Sequence, residues 1–589
     1  MQPELVVRRE SAMGRSKGQV YTCFALMLVF CIIVVSVCIY QHGKHKCPQD
    51  SFSHAAVAAD TGTCSRIGRD MLQKGGSAVD GAIAALLCTS LLNPQSMGLG
   101  GGSIFTVMDS TGKVKIINSR ERVPEKSNAD TLKSCPDPHN FVSVAPDPGH
   151  LWIGIPGELR GYEEAHRLYG KLPWATLFQP SIQLARRGFP IPQILGQYLP
   201  FTNKSQLLRE LFSDKHGNLL KIGDLVKFET LANTLETIAN LGADAFYTGK
   251  IAEDLIRDIQ EAGGSLTLQD LASYRATVSD AWTIPLGEYQ MYIAPPPGAG
   301  NILSLVLNIM KGYDLTPASL RGEQKTLFYH RYVEAFKFAN GLKKHNRDLE
   351  FSSELTKKFT EDRIADHIRS LIDDKMSHEL QYYNTTPYLD SVGTTHVSVL
   401  SQDGSAVSVT SSINHMSVLS AKFHALSTCE RLLHFLYRFG SRVLSPSTGV
   451  LLNSHLCDFC GIADRLFAGE HPPSSMAPTV LKSKSKVLVI GSTGGSMITT
   501  GMASAIINSL WFGKSLKEAI ATPILFVNSE NAVQFESNFD KGVIEELKAL
   551  GQKQKPMKKL FTVLNAVEKE GRCIRAVSDS RKLGEAAGY

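Results

Sequence analysis

Several signatures of cofactor-dependent enzymes are missing from this chain of 589 residues. It contains no HExxH, the helical zinc-binding signature of metalloproteases. The glycine-rich run 98–103 does not complete GxGxxG, and Gly513-Lys514-Ser515 lacks the upstream glycine of a P-loop because Asn508 stands there. Nucleotide and metal chemistry are therefore disfavoured, and we expect neither a cofactor nor a metal.

The net charge is also small for this length. Charged residues make up 20% of the chain and the net charge is +6, with no basic run interleaved with aromatics outside the N-terminus. Nucleic acid is therefore not an expected partner. The hydrophobic content of 43% is ordinary for a folded protein. The length predicts about two to four domains or one large compound fold.

One long stretch carries no charge at all. Residues 20–40 are uncharged, and about 21 residues at roughly 1.5 Å each span a bilayer core of about 30 Å. More basic residues precede this stretch than closely follow it. The sequence therefore predicts a cytoplasmic tail (1–19), a transmembrane signal anchor (20–40) and a single-pass type II protein of the plasma membrane, with the remaining bulk of the chain outside the cell. The sequons at Asn203 and Asn384 would then be glycosylation sites.

Cysteine usage fits an oxidising exterior. Of the 11 cysteines, several lie in the predicted ectodomain. The pair expected to bridge is Cys64 and Cys88, on neighbouring apolar helices, and the sequence leaves the full connectivity open. Cys457 and Cys460 have CxxC spacing without a second ligand pair, which favours a local disulfide or free thiols over zinc.

Hydrophobic periodicity predicts both helices and strands. The chain alternates helices and short strands at first and becomes richer in strands after residue 393. Strands are expected at 103–108, 114–118, 395–400, 406–410, 487–490 and 561–567, and helices at 55–92, 501–510 and 541–550. This pattern is typical of a layered sheet covered by helices.

The run 390–399 has the character of a self-cleavage site. Gly393 ends a polar turn and alternating β-branched residues follow it, which places Thr394 at the start of a strand with no Cβ on the preceding residue. Attack of the Thr394 hydroxyl on the Gly393 carbonyl would give an ester, whose hydrolysis leaves a new chain beginning with Thr394. The freed α-amine, with a reference pKa near ~8, would serve as base for the hydroxyl of the same residue. An ordinary hairpin entry is the alternative interpretation.

Several distant segments together match one known pattern. They are 93–102 (NPQSMGLGGG), 153–162 (IGIPGELRGY), 393–399 (GTTHVSV), 474–478 (SSMAP), 491–496 (GSTGGS) and 584–589 (GEAAGY). On these segments the chain resembles the gamma-glutamyltransferase, or glutathione hydrolase, family, from about residue 52 to its end.

The resemblance implies a fold, a maturation step and a reaction. The fold would be an α+β, four-layer α/β/β/α N-terminal-nucleophile hydrolase. Cleavage between Gly393 and Thr394 would give a large subunit ectodomain (41–393) and a small catalytic subunit (394–589) that remain together as a heterodimer. Thr394 would pass the γ-glutamyl group of glutathione or its S-conjugates, such as leukotriene C4, to water or to an acceptor amino acid or dipeptide.

The resemblance also implies how the glutamyl end is bound. Arg120 matches the arginine that grips the substrate α-carboxylate, a role suited to its planar fork of donors. Ser474 and Ser475 match further donors to that carboxylate. Asp458 matches the residue that holds the α-ammonium, and Asn414 matches a polar neighbour in the same pocket.

Other residues match the family's catalytic groups. The backbone N–H groups of Gly494 and Gly495 match an oxyanion hole, where glycine permits close approach to the developing charge. Ser412 stands where a threonine commonly supports the nucleophile, so the hydroxyl is kept. His396 lies beside Thr394 and is interpreted as a packing residue of the strand.

Two departures from the family pattern fall in one region. His455 stands where the family usually has a glutamate that helps to bind the substrate ammonium, so weaker substrate binding is expected. Residues 415–438 form an insertion relative to the family. It is either an apolar flap near the glutamyl pocket or an error in the coding sequence, such as retained intron.

Two other functions remain open from the sequence. A non-catalytic or non-maturing membrane-anchored member of the family would follow from His455 and the insertion, although the intact Thr394, Arg120 and Asp458 argue against it. An acylase of the cephalosporin type would share the nucleophile, but it would have no use for both Arg120 and Asp458.

Overall fold

The computed structural model describes most of the chain after residue 50. It covers residues 21–22, 24–36, 47–48, 50–127, 131–135, 149–352, 355–386, 388, 391–413, 416–417, 439–556 and 562–589, with the backbone alone at 203–204, 391–392 and 416–417. The predicted tail 1–19 and residues 20, 23 and 37–40 of the predicted anchor lie outside this part. The backbone is helical at 21–22 and 24–36. Within the residues covered, no helix is both long and apolar enough to cross a bilayer.

The strands are short and spread over both halves of the chain. They are β1 (Ala56–Ala58), β2 (Gly102–Met108), β3 (Val114–Ser119), β4 (Phe189–Pro190), β5 (Leu225–Val226), β6 (Thr277–Asp280), β7 (Trp282–Leu286), β8 (Tyr289–Ile293), β9 (Ser391–Val392), β10 (Thr395–Leu400), β11 (Ala406–Ser412), β12 (Met416–Ser417), β13 (Thr479–Lys482), β14 (Lys486–Thr493), β15 (Leu525–Val527), β16 (Val533–Phe535), β17 (Val563–Glu570), β18 (Cys573–Ser578) and β19 (Ala586–Gly588).

The helices lie mostly in the first half of the chain. They are α1 (Gly62–Gln73), α2 (Ala78–Leu92), α3 (Glu158–Tyr169), α4 (Trp174–Arg187), α5 (Gln193–Tyr198), α6 (Gln206–Leu211), α7 (Glu229–Leu241), α8 (Asp244–Tyr247), α9 (Gly249–Glu261), α10 (Leu268–Ser273), α11 (Gly300–Lys311), α12 (Gly322–Leu342), α13 (Leu355–Lys358), α14 (Asp362–Leu371), α15 (Ile498–Leu510), α16 (Leu516–Ala521) and α17 (Lys541–Ala549).

Two antiparallel sheets form the middle of the fold. One has seven strands in the order β19-β1-β10-β11-β2-β3-β6, and the other has six in the order β18-β17-β14-β13-β8-β7. Each sheet contains strands from before residue 393 and strands from after it. The two halves of the chain therefore complete each sheet jointly.

Helices cover the outer face of each sheet and give a four-layer arrangement. One apolar cluster packs the seven-stranded sheet against α1, α2, α4 and α7. Another packs the six-stranded sheet against α11, α12 and α15. A smaller cluster lies between the sheets, with members such as Ala56, Met108, Leu400, Val489 and Val567. The expected α+β fold is confirmed.

Strand β10 illustrates how the sequence pattern produces these layers. Val397 and Val399 are buried in the cluster under the helices, whereas His396 and Ser398 face the second sheet, as the period of two in a strand requires. The Ser398 hydroxyl donates to the Asn565 carbonyl at 2.9 Å. The His396 ring lies where a Cβ at Gly491 would come within 2.1 Å of it. The start of β10 is thus tied to the second sheet by polar contacts.

The predicted helix 55–92 is partly wrong. Residues 56–58 form β1, which pairs with β10 and β19, and the rest divides into α1 and α2. Gly75 ends α1 with a φ of +88°, a left-handed value that favours glycine. Ser77 and Asp80 then form a capping box that starts α2. The other predicted strands and helices are present with bounds shifted by a few residues, apart from residue 561, which lies outside the description.

The predicted bridge between Cys64 and Cys88 is present, with an S–S distance of 2.06 Å. The local disulfide considered for the CxxC pair is wrong, because Cys460 bonds to Cys135 instead. The Cys457 sulfur lies 4.0 Å from that of Cys460 and stays a buried free thiol. Among the residues that the structure covers, no cluster of His, Cys, Asp and Glu side chains suits a metal ion.

Two disulfides join the two halves of the chain. Cys47 bonds to Cys573, and Cys135 bonds to Cys460. Each therefore links a residue before position 393 to one after it, and a backbone cut between residues 393 and 394 would leave the two parts covalently attached.

Glu158, at the start of α3, makes the free energy of unfolding depend on pH. Its side chain is fully buried, with the Ser411 hydroxyl donating to it at 2.9 Å, and burial raises its pKa from 4.5 to about 8. The folded protein therefore retains a proton that the unfolded chain releases. The stability this proton provides is present below the unfolded pKa and is lost as the pH rises through the folded pKa.

We predict that Glu158→Gln flattens this dependence. The amide keeps the shape of the protonated acid and cannot ionise, so between about pH 5 and pH 9 its thermal midpoint should fall less than that of the wild type. Thermal melts across this range provide the measurement, with the exposed Glu229→Gln as control. Parallel curves for all three proteins would contradict the prediction.

Candidate active site

The predicted cleavage junction lies in a strained turn just before β10. Gly393 has a φ of +130° and Thr394 a φ of +85°, a value that a β-branched residue rarely adopts. Lys582 Nζ donates to the Thr394 carbonyl at 3.2 Å and forms an ion pair with Asp60. The Thr395 hydroxyl also donates to Asp60, at 2.6 Å. The surrounding fold thus holds the junction in a costly backbone conformation.

The carbonyl before Thr394 receives a hydrogen bond from a glycine turn. The Gly494 N–H donates to the Gly393 oxygen at 2.8 Å. Gly494 and Gly495 have φ values of +110° and +57°, which other residues adopt only with strain. This turn precedes α15, and its Gly494 N–H is the donor to the Gly393 oxygen. Such donors polarise a carbonyl and stabilise negative charge on its oxygen.

On the other side of Thr394, three side chains form a continuous chain of contacts. The Thr394 hydroxyl donates to Ser412 Oγ at 3.3 Å. Ser412 Oγ lies 3.2 Å from His455 Nε2, and His455 Nδ1 lies 2.9 Å from Glu121 Oε1. Each of these residues is at most 4% exposed, so the contacts are shielded from water.

Charged groups of both signs lie beside this chain. Arg120 forms a short ion pair with Asp458, and its Nη1 lies 3.6 Å from Glu121 Oε2. The Arg120 side chain is 2% exposed and that of Asp458 is 13% exposed. Glu121 therefore lies between one guanidinium and one imidazole, and Asp458 keeps an edge toward the cavity.

A small cavity of about 60 Å³ connects these groups. Most of the site residues expected from the sequence line it. The residues that do so are Arg120, Thr394, Ser412, Asp458, Ser474, Ser475 and Gly495, together with His455. Gly494 joins them through its bond to Gly393.

Some predicted residues are elsewhere or outside the description. Asn414 and most of the insertion 415–438 lie outside the described residues. Asn384 is exposed, with its side-chain oxygen accepting from Lys344 Nζ at 3.0 Å. The backbone of Asn203 is in a 3-10 helix, 199–204.

His396 lies two residues after Thr394 in sequence, but its ring does not line the cavity. Its two nitrogens contact Thr410 Oγ1 at 2.8 Å and Ser398 Oγ at 3.0 Å. Full burial lowers its pKa to about 3, so the ring is neutral near pH 7. Both observations agree with a packing role.

Four residues of the site had no motif that pointed to them. Glu121 follows Arg120 directly in the chain, and this position is the one sequence signal that could have identified it as a site residue. Lys343 lines the cavity and donates to Tyr388 at 2.7 Å. Asp60 and Lys582 come from opposite ends of the chain and meet only because β1 and β19 pair.

The comparisons with known proteins agree with this site. The chain matches the family Gamma-glutamyltranspeptidase over residues 64–421 and 435–589. It belongs to the gamma-glutamyltranspeptidase family. The family resemblance and the enzyme class expected from the sequence are therefore confirmed. The match leaves out residues 422–434, which lie inside the predicted insertion 415–438.

Individual relatives cover nearly the whole chain. Glutathione hydrolase 5 proenzyme of Rattus norvegicus is 43% identical, over 96% of this chain and 98% of that protein. The Homo sapiens protein of the same name is 41% identical, over 95% and 96%. The crystal structure of cephalosporin acylase from Bacillus halodurans has a TM-score of 0.75 at 22% identity, covering 92% of this chain and 96% of that one. The acylase structure therefore has the same fold as this chain.

We predict that the Arg120–Asp458 pair contributes to stability as well as to the site. Arg120→Ala should lower the thermal midpoint, because breaking a buried ion pair costs about 3–5 kcal/mol. Adding Asp458→Asn removes the orphaned charge and should recover part of the loss. Thermal melts of the two variants and of the exposed control Arg572→Ala test this. A double variant that melts below Arg120→Ala would contradict it.

Proposed function

We propose that the protein is a self-cleaving γ-glutamyl hydrolase and transferase. The single observation that carries the proposal is the bond from the Gly494 N–H to the Gly393 carbonyl, with the Thr394 hydroxyl on the next residue. This is the geometry that an N-to-O acyl shift requires, since the carbonyl is polarised and the nucleophile is adjacent to it.

In the maturation step, the Thr394 oxygen attacks the Gly393 carbonyl carbon. Negative charge develops on the carbonyl oxygen, where the Gly494 N–H stabilises it. The bond from the Gly393 carbon to the Thr394 nitrogen breaks and an ester remains. Water hydrolyses the ester, leaving the Gly393 carboxylate and a free amine on Thr394. The positive φ of Thr394 favours the step, because the strain ends with the peptide bond.

In turnover, the same oxygen attacks the γ-glutamyl amide of the donor. The free amine of Thr394 takes the hydroxyl proton and then passes it to the leaving amine. Gly494 and Gly495 serve again as the oxyanion hole. Water, or the amine of an acceptor amino acid or dipeptide, resolves the γ-glutamyl ester.

The charges of the cavity complement the α-amino acid end of a glutamyl group. Arg120 offers its fork to the α-carboxylate, with Ser474 and Ser475 as further donors. Asp458 keeps an edge toward the cavity for the α-ammonium. The names of the relatives support glutathione as donor. We extend the proposal to glutathione S-conjugates, including leukotriene C4.

We further propose where the protein acts and in what form. Residues 20–40 would anchor it in the plasma membrane as a single-pass type II protein, with the cavity outside the cell and glycans at Asn203 and Asn384. The parts 41–393 and 394–589 would remain together as a heterodimer. The two sheets, each shared between these parts, support this arrangement.

Thr394→Ala should abolish both maturation and turnover. After expression of the full chain in a secretory host and reduction, we expect two wild-type fragments, the smaller beginning at Thr394 by N-terminal sequencing. Wild-type protein should release glutamate from glutathione, and Thr394→Ala should stay uncut with on the order of 10⁴-fold less turnover. Thr394→Ser is the matched control, because it keeps the hydroxyl. An uncut wild-type chain would refute the proposal, and cleavage without glutathione hydrolysis would refute its substrate.

The cleaved fragments should separate only after reduction. Cys47–Cys573 and Cys135–Cys460 both cross the cut, so denaturing gels without reductant should show one band and gels with reductant two. Cys573→Ser combined with Cys135→Ser should release the fragments without reductant. Cys64→Ser is the control, because its bridge lies within one fragment. Separation of unreduced wild-type fragments would contradict this pairing.

A further inference from the structure

We propose that Arg347 positions the part of the site that binds the substrate α-carboxylate, by holding Glu470 with two hydrogen bonds. This inference rests on the proposed γ-glutamyl activity, in which Arg120 and two serines of the loop 470–476 bind that carboxylate. Arg347 does not line the cavity and acts through this loop, so it is a positioning residue. Through the loop it sets the preference for donors that carry an α-carboxylate.

The loop 470–476 carries the two serines and has no regular structure of its own. It lies between the 3-10 turn 455–459 and β13, and none of its residues is in a helix or a strand. Ser474 and Ser475 both line the cavity. A segment without a ladder of backbone hydrogen bonds is positioned by its contacts with the rest of the fold. The placement of the serines therefore depends on the residues that hold this loop.

The same loop orients both kinds of carboxylate donor. The Ser474 N–H donates to the Pro297 carbonyl at 2.9 Å, and the Ser474 hydroxyl accepts from the Met476 N–H at 3.1 Å. The hydroxyl can then donate its own proton to a substrate oxygen. Arg120 Nε lies 3.5 Å from the Pro472 carbonyl oxygen, so the loop also contacts the guanidinium. A shift of the loop would displace the serines and this contact together.

Arg347 holds the start of the loop through a bidentate ion pair. Its Nε and Nη2 donate to the two carboxylate oxygens of Glu470 at 2.9 and 2.8 Å, a geometry that fixes orientation as well as distance. The Glu470 side chain is fully buried, and that of Arg347 is 18% exposed. The guanidinium also lies 5.7 Å from the centre of the Phe467 ring. Because a buried carboxylate without a partner is costly, the pair strongly restrains this end of the loop.

The two neighbours of this arginine in the chain contact the same region. Asp348 accepts a hydrogen bond from the His471 N–H at 3.0 Å. Asn346 donates to the Pro297 carbonyl at 3.5 Å, the oxygen that also receives the N–H of the first serine. All three residues precede the predicted cut, and the loop follows it. The part of the chain before the cut therefore positions a binding loop of the part after it.

Other elements hold the groups that act on the reacting carbonyl. Thr394 lies just before β10, and Gly494 follows β14. Arg347 forms its ion pair with the loop and not with either of these residues. Loss of the pair should therefore weaken the binding of a donor with an α-carboxylate. It should leave self-cleavage, and the reaction of a donor once bound, unchanged.

The test compares two inhibitors of glutathione hydrolysis that differ only in the α-carboxylate. L-glutamate has this group, and 4-aminobutyrate is the same molecule without it, so glutamate should inhibit the wild type more strongly. Arg347→Met combined with Glu470→Gln removes both charges together. This double variant should raise the inhibition constant of glutamate and the KM for glutathione about 10- to 100-fold, the range expected for charged hydrogen bonds. The inhibition constant of 4-aminobutyrate should stay nearly unchanged.

Further readouts separate positioning from a general loss of structure. In the double variant, self-cleavage into two fragments and kcat should match the wild type. Arg347→Lys keeps the charge but loses the planar fork, so it should give an intermediate KM. Arg331→Met is the matched control, because the Arg331 side chain is 20% exposed and forms a bidentate pair with Asp374, outside the cavity lining. This control should keep the wild-type KM.

The outcomes distinguish this inference from the function on which it rests. A wild type that does not hydrolyse glutathione, or that glutamate inhibits no better than 4-aminobutyrate does, overturns the proposed γ-glutamyl site and this inference with it. A wild type that prefers glutamate, with a double variant that keeps the same preference and KM, overturns the role of Arg347 alone. A double variant that fails to cleave itself, or whose kcat falls with KM unchanged, also overturns that role, because the pair would then support the junction instead of the carboxylate.

Discussion

The site depends above all on the pairing of β10 with its two neighbours. β10 lies between β1 and β11, with Val57 opposite Val399 on one side and Thr395 opposite Ser411 on the other. In an antiparallel ladder this register places the residue before Thr395 opposite the residue after Ser411. The contact between the Thr394 and Ser412 hydroxyls is therefore a direct result of the strand register, and a one-residue slip would remove it.

The six-stranded sheet positions the donor that binds the Gly393 carbonyl. Strand β14 runs into the turn at Gly494 and Gly495, so the N–H that binds the Gly393 carbonyl is positioned by the six-stranded sheet. The polar contacts between the sheets, such as Ser398 to Asn565, fix the distance between the two strands. Thr394 at the edge of one sheet and the carbonyl-binding turn at the edge of the other meet because the sheets pack face to face.

The buried charges around Arg120 form one connected network. Arg120 lies just after β3, and its partner Asp458 lies in the 3-10 turn 455–459 that also carries His455. Holding these charges in a buried site is costly, and the cost is offset because each has an opposite charge nearby. The sequence led us to expect His455 to be a defect in ammonium binding. In the structure its ring lies between Glu121 and Ser412, with one ring nitrogen near each of these side chains.

The family and the layered α+β fold could be predicted from the sequence, and most of the site residues that it predicted line the cavity. These are local signals, because glycine turns, alternating strands and motif segments depend on neighbours in the chain. Contacts between residues that are far apart in the chain could not be predicted, because they depend on how the whole chain folds. Cys460 bonds to Cys135 and not to Cys457, because the segment that carries Cys135 lies against it. Strand β1 interrupts a stretch whose sequence pattern is helical, because its backbone pairs with that of β10. The series of side-chain contacts from Thr394 to Glu121 could not be predicted either, since these residues come from segments that meet only in the folded protein.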